Sequence, residues 1–87
     1  MINVKVTPYR TIRTKFHGPT NTRGSRISAT SNGDNRIYLP WDHRLNADEN
    51  HIEAAKALAA KMEWGGDWIG GNDGNGYLFV CPEIKKS

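Results

Sequence analysis

"NADENHIEAAKALAAKMEWGG", residues 46–66, is the stretch whose reading decides the fold. Asn46 with Glu49 three residues later is a capping-box pattern, in which the Asn side chain accepts from an early helical amide and the carboxylate reaches back. Asp48 is an alternative cap. "ENHIEAAKALAAKMEW" is rich in Ala, Glu and Lys, all good helix formers. Ile52, Ala55, Leu58, Ala59 and Met62 recur at three- and four-residue spacing and predict one apolar stripe. Glu53, Lys56 and Glu63 take the opposite side. Gly65-Gly66 is the expected stop, because glycine accepts the left-handed conformation that ends many helices. The small alanines predict close approach to a sheet.

Outward from this helix the pattern changes to period two, the mark of half-buried strands. On the N-terminal side, Ile2, Val4, Val6, Ile12 and Phe16 share one parity, and Asn3, Lys5, Thr7, Tyr9, Arg13, Lys15 and His17 the other. Pro8 divides this run into a lead-in and a main strand near 11–17. A second strand fits 25–31, with Ile27 and Ala29 inward and Arg26, Ser28 and Thr30 outward. "SNGD", residues 31–34, contains the Asn-Gly pair that favours tight hairpins. A third strand, 35–40, turns Ile37 and Leu39 inward and Arg36 and Tyr38 outward. On the C-terminal side, strands near 67–70 and 76–81 flank the glycine-rich loop "GGNDGNG". In "YLFVC" both parities are apolar, which predicts a central strand. The expected fold class is α+β: an antiparallel sheet of about five strands in the order β-β-β-α-β-β, with one helix packed on one face.

The 87 residues suit a single domain, 1–87, with an ordered core about 3–81 and a short tail at 82–87. Cys81 is the only cysteine, so an intramolecular disulfide and a Cys-rich metal site are both excluded. That usage predicts a reducing, cytoplasmic setting. No signal-peptide pattern is readable at the N-terminus, and no apolar run approaches a membrane span. The net charge of +3 is unevenly placed. Lys5, Arg10, Arg13, Lys15, Arg23 and Arg26 all precede the first acidic residue, Asp34. Such asymmetry predicts a basic surface able to meet phosphates or an acidic protein.

Catalytic patterns fail on physical grounds. "GPTNTRGS", residues 18–25, suggests a phosphate loop, but its glycines are spaced wrongly, the loop lysine is missing and a strand follows instead of a helix. Ser25, His43 and Asp42 supply the residue types of a hydrolase triad, yet no Gly-x-Ser-x-Gly elbow exists and neighbouring side chains need not point together. His17, His43 and His51 are scattered, without the spacing that sets two ligands on one helix face. "GNDGNG" lacks the acidic run and closing Glu of a calcium loop, and reads as a turn held by Asx side chains. No catalytic residue, metal ligand or cofactor is therefore assigned, and an enzyme is not expected.

What survives is a face. If the strand parities hold, Lys5, Arg13, Lys15, Arg26 and Arg36 project away from the helix with Thr7, Ser28, Thr30 and Tyr38. Tyr77 and Phe79 belong either to this face or to the core. Basic side chains neutralise phosphates, and aromatic rings on a sheet stack on bases. The same residues also keep an exposed sheet soluble. In "GPTNTRGSR", Gly18-Pro19 turns the chain, Thr20, Asn21 and Thr22 bond nearby backbone, and Arg23 and Arg26 stand on the rim.

"TKFHGPTNTRGSRISAT", "PWDHRLNADENHIEAAKALAAKMEW" and the turn into "GYLFV" resemble a set of small proteins of bacteria, phages and plasmids. They share Thr-Lys-aromatic-x-Gly-Pro-Thr-Asn-Thr-x-Gly-Ser-Arg, then an Ala-rich helix containing Asn-His. The resemblance covers residues 14–80. It implies an accessory role on a mobile element and supplies no catalytic residues. Two functions follow as expectations. One is a module that binds nucleic acid or a nucleoprotein complex through Arg13, Lys15, Arg23, Arg26, Arg36 and Tyr38. The other is a protein-binding inhibitor or adaptor that docks an acidic partner, such as a host defence or replication protein, without nucleic acid. Trp41, Trp64 and Trp68 matter to the second if exposed, and otherwise pack around the helix ends. Either a monomer or a homodimer paired through an edge strand is compatible.

Overall fold

The computed structural model describes residues 2–3, 10–31 and 35–81. The lead-in strand before Pro8, the Asn-Gly turn, Lys5, Thr7 and the tail at 82–87 fall mostly or wholly outside the described residues. Within them the elements run β1 (Arg10–His17), β2 (Arg26–Ser31), β3 (Arg36–Pro40), α1 (Ala47–Lys61), β4 (Ile69–Asn72) and β5 (Tyr77–Cys81). The five strands form one sheet in the order β3-β2-β1-β5-β4, and each pairing is antiparallel. The fold is α+β, and β5 lies inside the sheet between β1 and β4.

Alternation fixes which side each strand buries. Ile12, Ile27, Ala29 and Phe79 meet Ala54, Ala55, Leu58 and Ala59 of α1 in the core. Full burial of Ile12, Ile27 and Leu58 contributes about 1.5–3 kcal/mol each. The three Trp residues are partly buried against this core. Trp41 meets Phe16 edge-on, with ring centroids 4.9 Å apart. Trp64 and Trp68 stack at 6.0 Å.

α1 opens as its residues require. Asn46 Oδ1 accepts from the Glu49 amide at 2.8 Å, and Glu49 Oε1 accepts from the Asn46 amide at 2.9 Å. The buried side of the helix is turned from the expected stripe. Asn50 and His51 point inward, and Ile52 is left 42% exposed. Hydrophobicity counting misses this because the two inward residues are polar, each with hydrogen-bond partners inside the fold. The Asn50 side chain accepts from the Asp42 amide at 2.9 Å and donates to the carbonyls of Asp42, Leu45 and Asn46. It ties the β3–α1 connection to the helix. His51 Nδ1 and the buried Thr14 hydroxyl of β1 share a hydrogen bond of 2.6 Å. The imidazole also stacks on Tyr77 at 4.0 Å. Burial holds its pKa below the ordinary 6.5, against an opposing pull from Asp48.

The helix stops earlier than Gly65-Gly66. Met62 is the C-cap, and Glu63 takes the left-handed position at φ 60°. The Glu63 amide donates to Ala60 at 3.0 Å and the Trp64 amide to Ala59 at 2.8 Å, the paired bonds of a Schellman turn. A side chain there strains against the backbone. Glu63→Gly is therefore expected to stabilise the fold by about 0.5–1 kcal/mol, raising the melting temperature by roughly 4 °C. Thermal denaturation followed by circular dichroism measures it, and a lowered melting temperature contradicts the assignment.

β4 starts two residues later than expected and runs into the glycine segment. Gly70 pairs with Phe79, and a Cβ there would lie 2.5 Å from the Phe79 ring. The remaining turn is the expected Asx structure. Asp73 Oδ1 accepts from the amides of Asn75 and Gly76, and Asn72 Oδ1 from Gly74.

Candidate nucleic-acid interface

α1 packs across β1, β2 and β3 and leaves the opposite side of the sheet open. Strand register arranges that side in rows. Arg36, Thr30, Arg13 and Leu78 form one row, and Tyr38, Ser28 and Lys15 the next. Pro40, Arg26 and His17 form the third. Successive rows lie about 7 Å apart along the strands. Of the residues assigned from sequence, Arg13, Lys15, Arg26, Arg36 and Tyr38 thus share one face. Arg23 lies outside these strand rows, exposed in the β1–β2 connection.

That connection is architecture of the expected kind, carried by Thr20. Its hydroxyl accepts from the Arg23 amide at 3.1 Å, and its own amide donates to the Arg23 carbonyl at 2.7 Å. Tyr77 and Phe79 lie on the helix side, while Leu78 and Val80 of β5 face the open side.

An open cleft of about 440 Å³ crosses the rows, lined by Arg13, Lys15, His17, Ser28, Thr30 and Arg36, with Leu78 at its apolar end. Arg36 is laid over β2 by a 3.1 Å bond from its Nε to the Thr30 hydroxyl. Arg26 stacks its guanidinium 5.7 Å from the centre of the Tyr38 ring. Its Nε and Nη1 are covered and meet no acceptor among the described residues. His17 Nε2 and the Ser28 hydroxyl lie 2.9 Å apart, and the His17 ring tilts against Tyr38 at 5.6 Å. Outward parity with Arg13 and Lys15 was the sequence signal for His17.

The field on this face is positive, and His17 registers it. Partial burial, then Arg26, Lys15 and Arg36, hold its pKa below 6.5. Among the described residues, the carboxylate that reaches a cation here is Asp73, 3.9 Å from Arg13, with both groups exposed. Such a pair is worth little in water. A bound polyanion would reverse the effect on His17 and favour its charged form. Affinity for a polyanion is therefore expected to rise as pH falls from about 7.5 to 5.5, and His17→Ala should flatten that rise. Binding titrations across this range measure it; equal slopes in both proteins contradict the role of His17.

The residues weighed for catalysis lie in two connections, Ser25 between β1 and β2 and Asp42 and His43 between β3 and α1. Asp42 is engaged by the Arg44 guanidinium at 3.0 and 3.1 Å, which lowers its pKa, while His43 is exposed. Among the described residues no group of three His, Cys, Asp or Glu stands close enough to hold a metal ion. The Asn-His pair of the helix is structural, as Asn50 and His51 show. No helix among the described residues is long and apolar enough to cross a membrane.

The helix side carries a second feature. Beyond α1, Tyr77, Phe79 and Gly70 floor an apolar cleft of about 560 Å³. Ile52, Ala55 and Ala59 wall it on one side, and Trp64 and Trp68 close one end. Comparison with protein-family models, curated proteins and solved structures found no match.

Proposed function

We propose that this chain is a small nucleic-acid-binding module that uses the open sheet face, in keeping with the accessory role its resemblance implies. The observation that supports it most is the register itself. It gathers Arg13, Lys15, Arg26 and Arg36 with Tyr38 on a face where Asp73 is the carboxylate met among the described residues. Phosphate oxygens would be held by the exposed cations of this face. Binding of this type is driven by counterion release and weakens steeply with salt. Fluorescence anisotropy with labelled oligonucleotides at low and moderate salt tests it. Salt-sensitive binding is expected; no binding even at low salt contradicts it.

The second reading is a protein-binding inhibitor or adaptor. The apolar cleft beside α1 favours it, since exposed apolar patches mark interaction sites. A partner captured after nuclease treatment, and lost with Ile52→Arg, would support this reading. A partner lost with the nuclease would support the first.

A further inference from the structure

From the shape of the same face we infer that its ligand is single-stranded, RNA or DNA with unpaired bases. This rests on the nucleic-acid reading above. A duplex hides its bases inside the stack and is read by an element that projects into a groove, most often a helix. Here α1 lies on the far side of the sheet, so among the described residues nothing helical projects from the open face. What the face does present is a platform. Tyr38 stands 47% exposed on the edge strand β3. The Arg26 guanidinium lies 5.7 Å from the centre of its ring and the His17 imidazole 5.6 Å from it. Every base has a π-face, so an accessible ring takes unpaired bases with little regard to sequence.

The cations continue the path from that platform. Lys15 shares the row of Tyr38, and Arg36 and Arg13 occupy the neighbouring row about 7 Å away. A strand whose base rests on Tyr38 would run its phosphates across β2 and β1 toward Leu78, where the face becomes apolar. Strand spacing puts β3 and β5 roughly 14 Å apart, room for two or three nucleotides. A duplex on this face would touch it only through phosphate ridges and would make no use of Tyr38.

The test is anisotropy with a labelled oligonucleotide of about 12 nucleotides, presented as single-stranded RNA, as single-stranded DNA and as the DNA duplex. Wild type, Tyr38→Ala, Tyr38→Phe and Arg13→Gln/Lys15→Gln are compared after melting curves confirm folding. Single strands should bind about ten-fold tighter than duplex. Tyr38→Ala should weaken single-strand binding by about ten-fold and leave the duplex unchanged, and Tyr38→Phe should restore it. The stronger of the RNA and DNA arms names the natural strand. Duplex bound as tightly as single strand, or single-strand binding indifferent to Tyr38→Ala, overturns the inference while leaving the broader reading intact if the Gln pair still weakens binding. No binding of any form overturns both.

Discussion

Reversing the charge at two positions, Arg13→Glu with Lys15→Glu, is expected to lower affinity for a single strand by about 100-fold or more at about 50 mM salt. The two side chains sit on the same strand, are exposed, and line the same cleft. Neither belongs to the core. The fold should therefore survive, since surface substitutions usually change stability by no more than about 0.5 kcal/mol. The pair Arg13 loses with Asp73 is exposed on both sides and contributes little. The milder Arg13→Gln/Lys15→Gln separates mechanism from magnitude. Each phosphate contact removed lowers the slope of log affinity against log salt by about 0.7 for a single strand, so the pair should flatten it by about 1.4. A drop in affinity with an unchanged slope would mean that these side chains act through shape instead of charge. No drop with the Glu pair would remove the cleft from the interface.

The second large effect is on folding. Gly76→Ala is expected to cost about 3 kcal/mol, a substantial part of the margin a chain of this length holds. A Cβ at Gly76 would lie 2.3 Å from the Thr14 carbonyl oxygen, which is backbone and has no rotamer to escape into. Thr14 is fully buried and bonded to His51, and β5 begins at the next residue, Tyr77. Relief of the clash must move β5 away from β1 and lift Tyr77 from the His51 ring. The melting temperature should fall by roughly 12 °C or more. Gly71→Ala is the control: nothing lies within 4 Å of its would-be Cβ. Equal melting temperatures for the two variants would contradict the close approach of β5 to β1.

These two predictions mark where the sequence is readable and where it is not. Period-two alternation in "RTIRTKFH" and "RISATS" placed Arg13, Lys15 and Arg26 on the side away from the helix, because sheet geometry leaves no other choice once Ile12 and Ile27 are buried. The Asn46–Glu49 box was legible for the same reason: local chemistry decides it. Three features were not. Asn50 and His51 look like exposed helix residues until the β3–α1 connection and Thr14 supply their partners, and their inward turn is what exposes Ile52. Glu63 holds a conformation that glycine prefers, with two glycines just downstream. Gly71 and Asn72 read as loop, although their pairing with Leu78 and Tyr77 makes a strand there. In each case the deciding contact comes from a distant residue or from a backbone angle that composition does not encode. Tyr77 and Phe79 were ambiguous by parity because β5 is apolar on both sides, and only its pairing with β1 assigns them to the helix side.

The central claim is that the open face, and not the cleft beside α1, meets nucleic acid. Residue-resolved amide shifts on titration with a single-stranded oligonucleotide of about 12 nucleotides test it most directly. The account predicts that the largest changes fall on residues 11–17, 26–30 and 36–38, while Ile52, Ala55, Ala59, Trp64 and Trp68 stay still. Changes centred on those five residues, or none at saturating oligonucleotide, would contradict it.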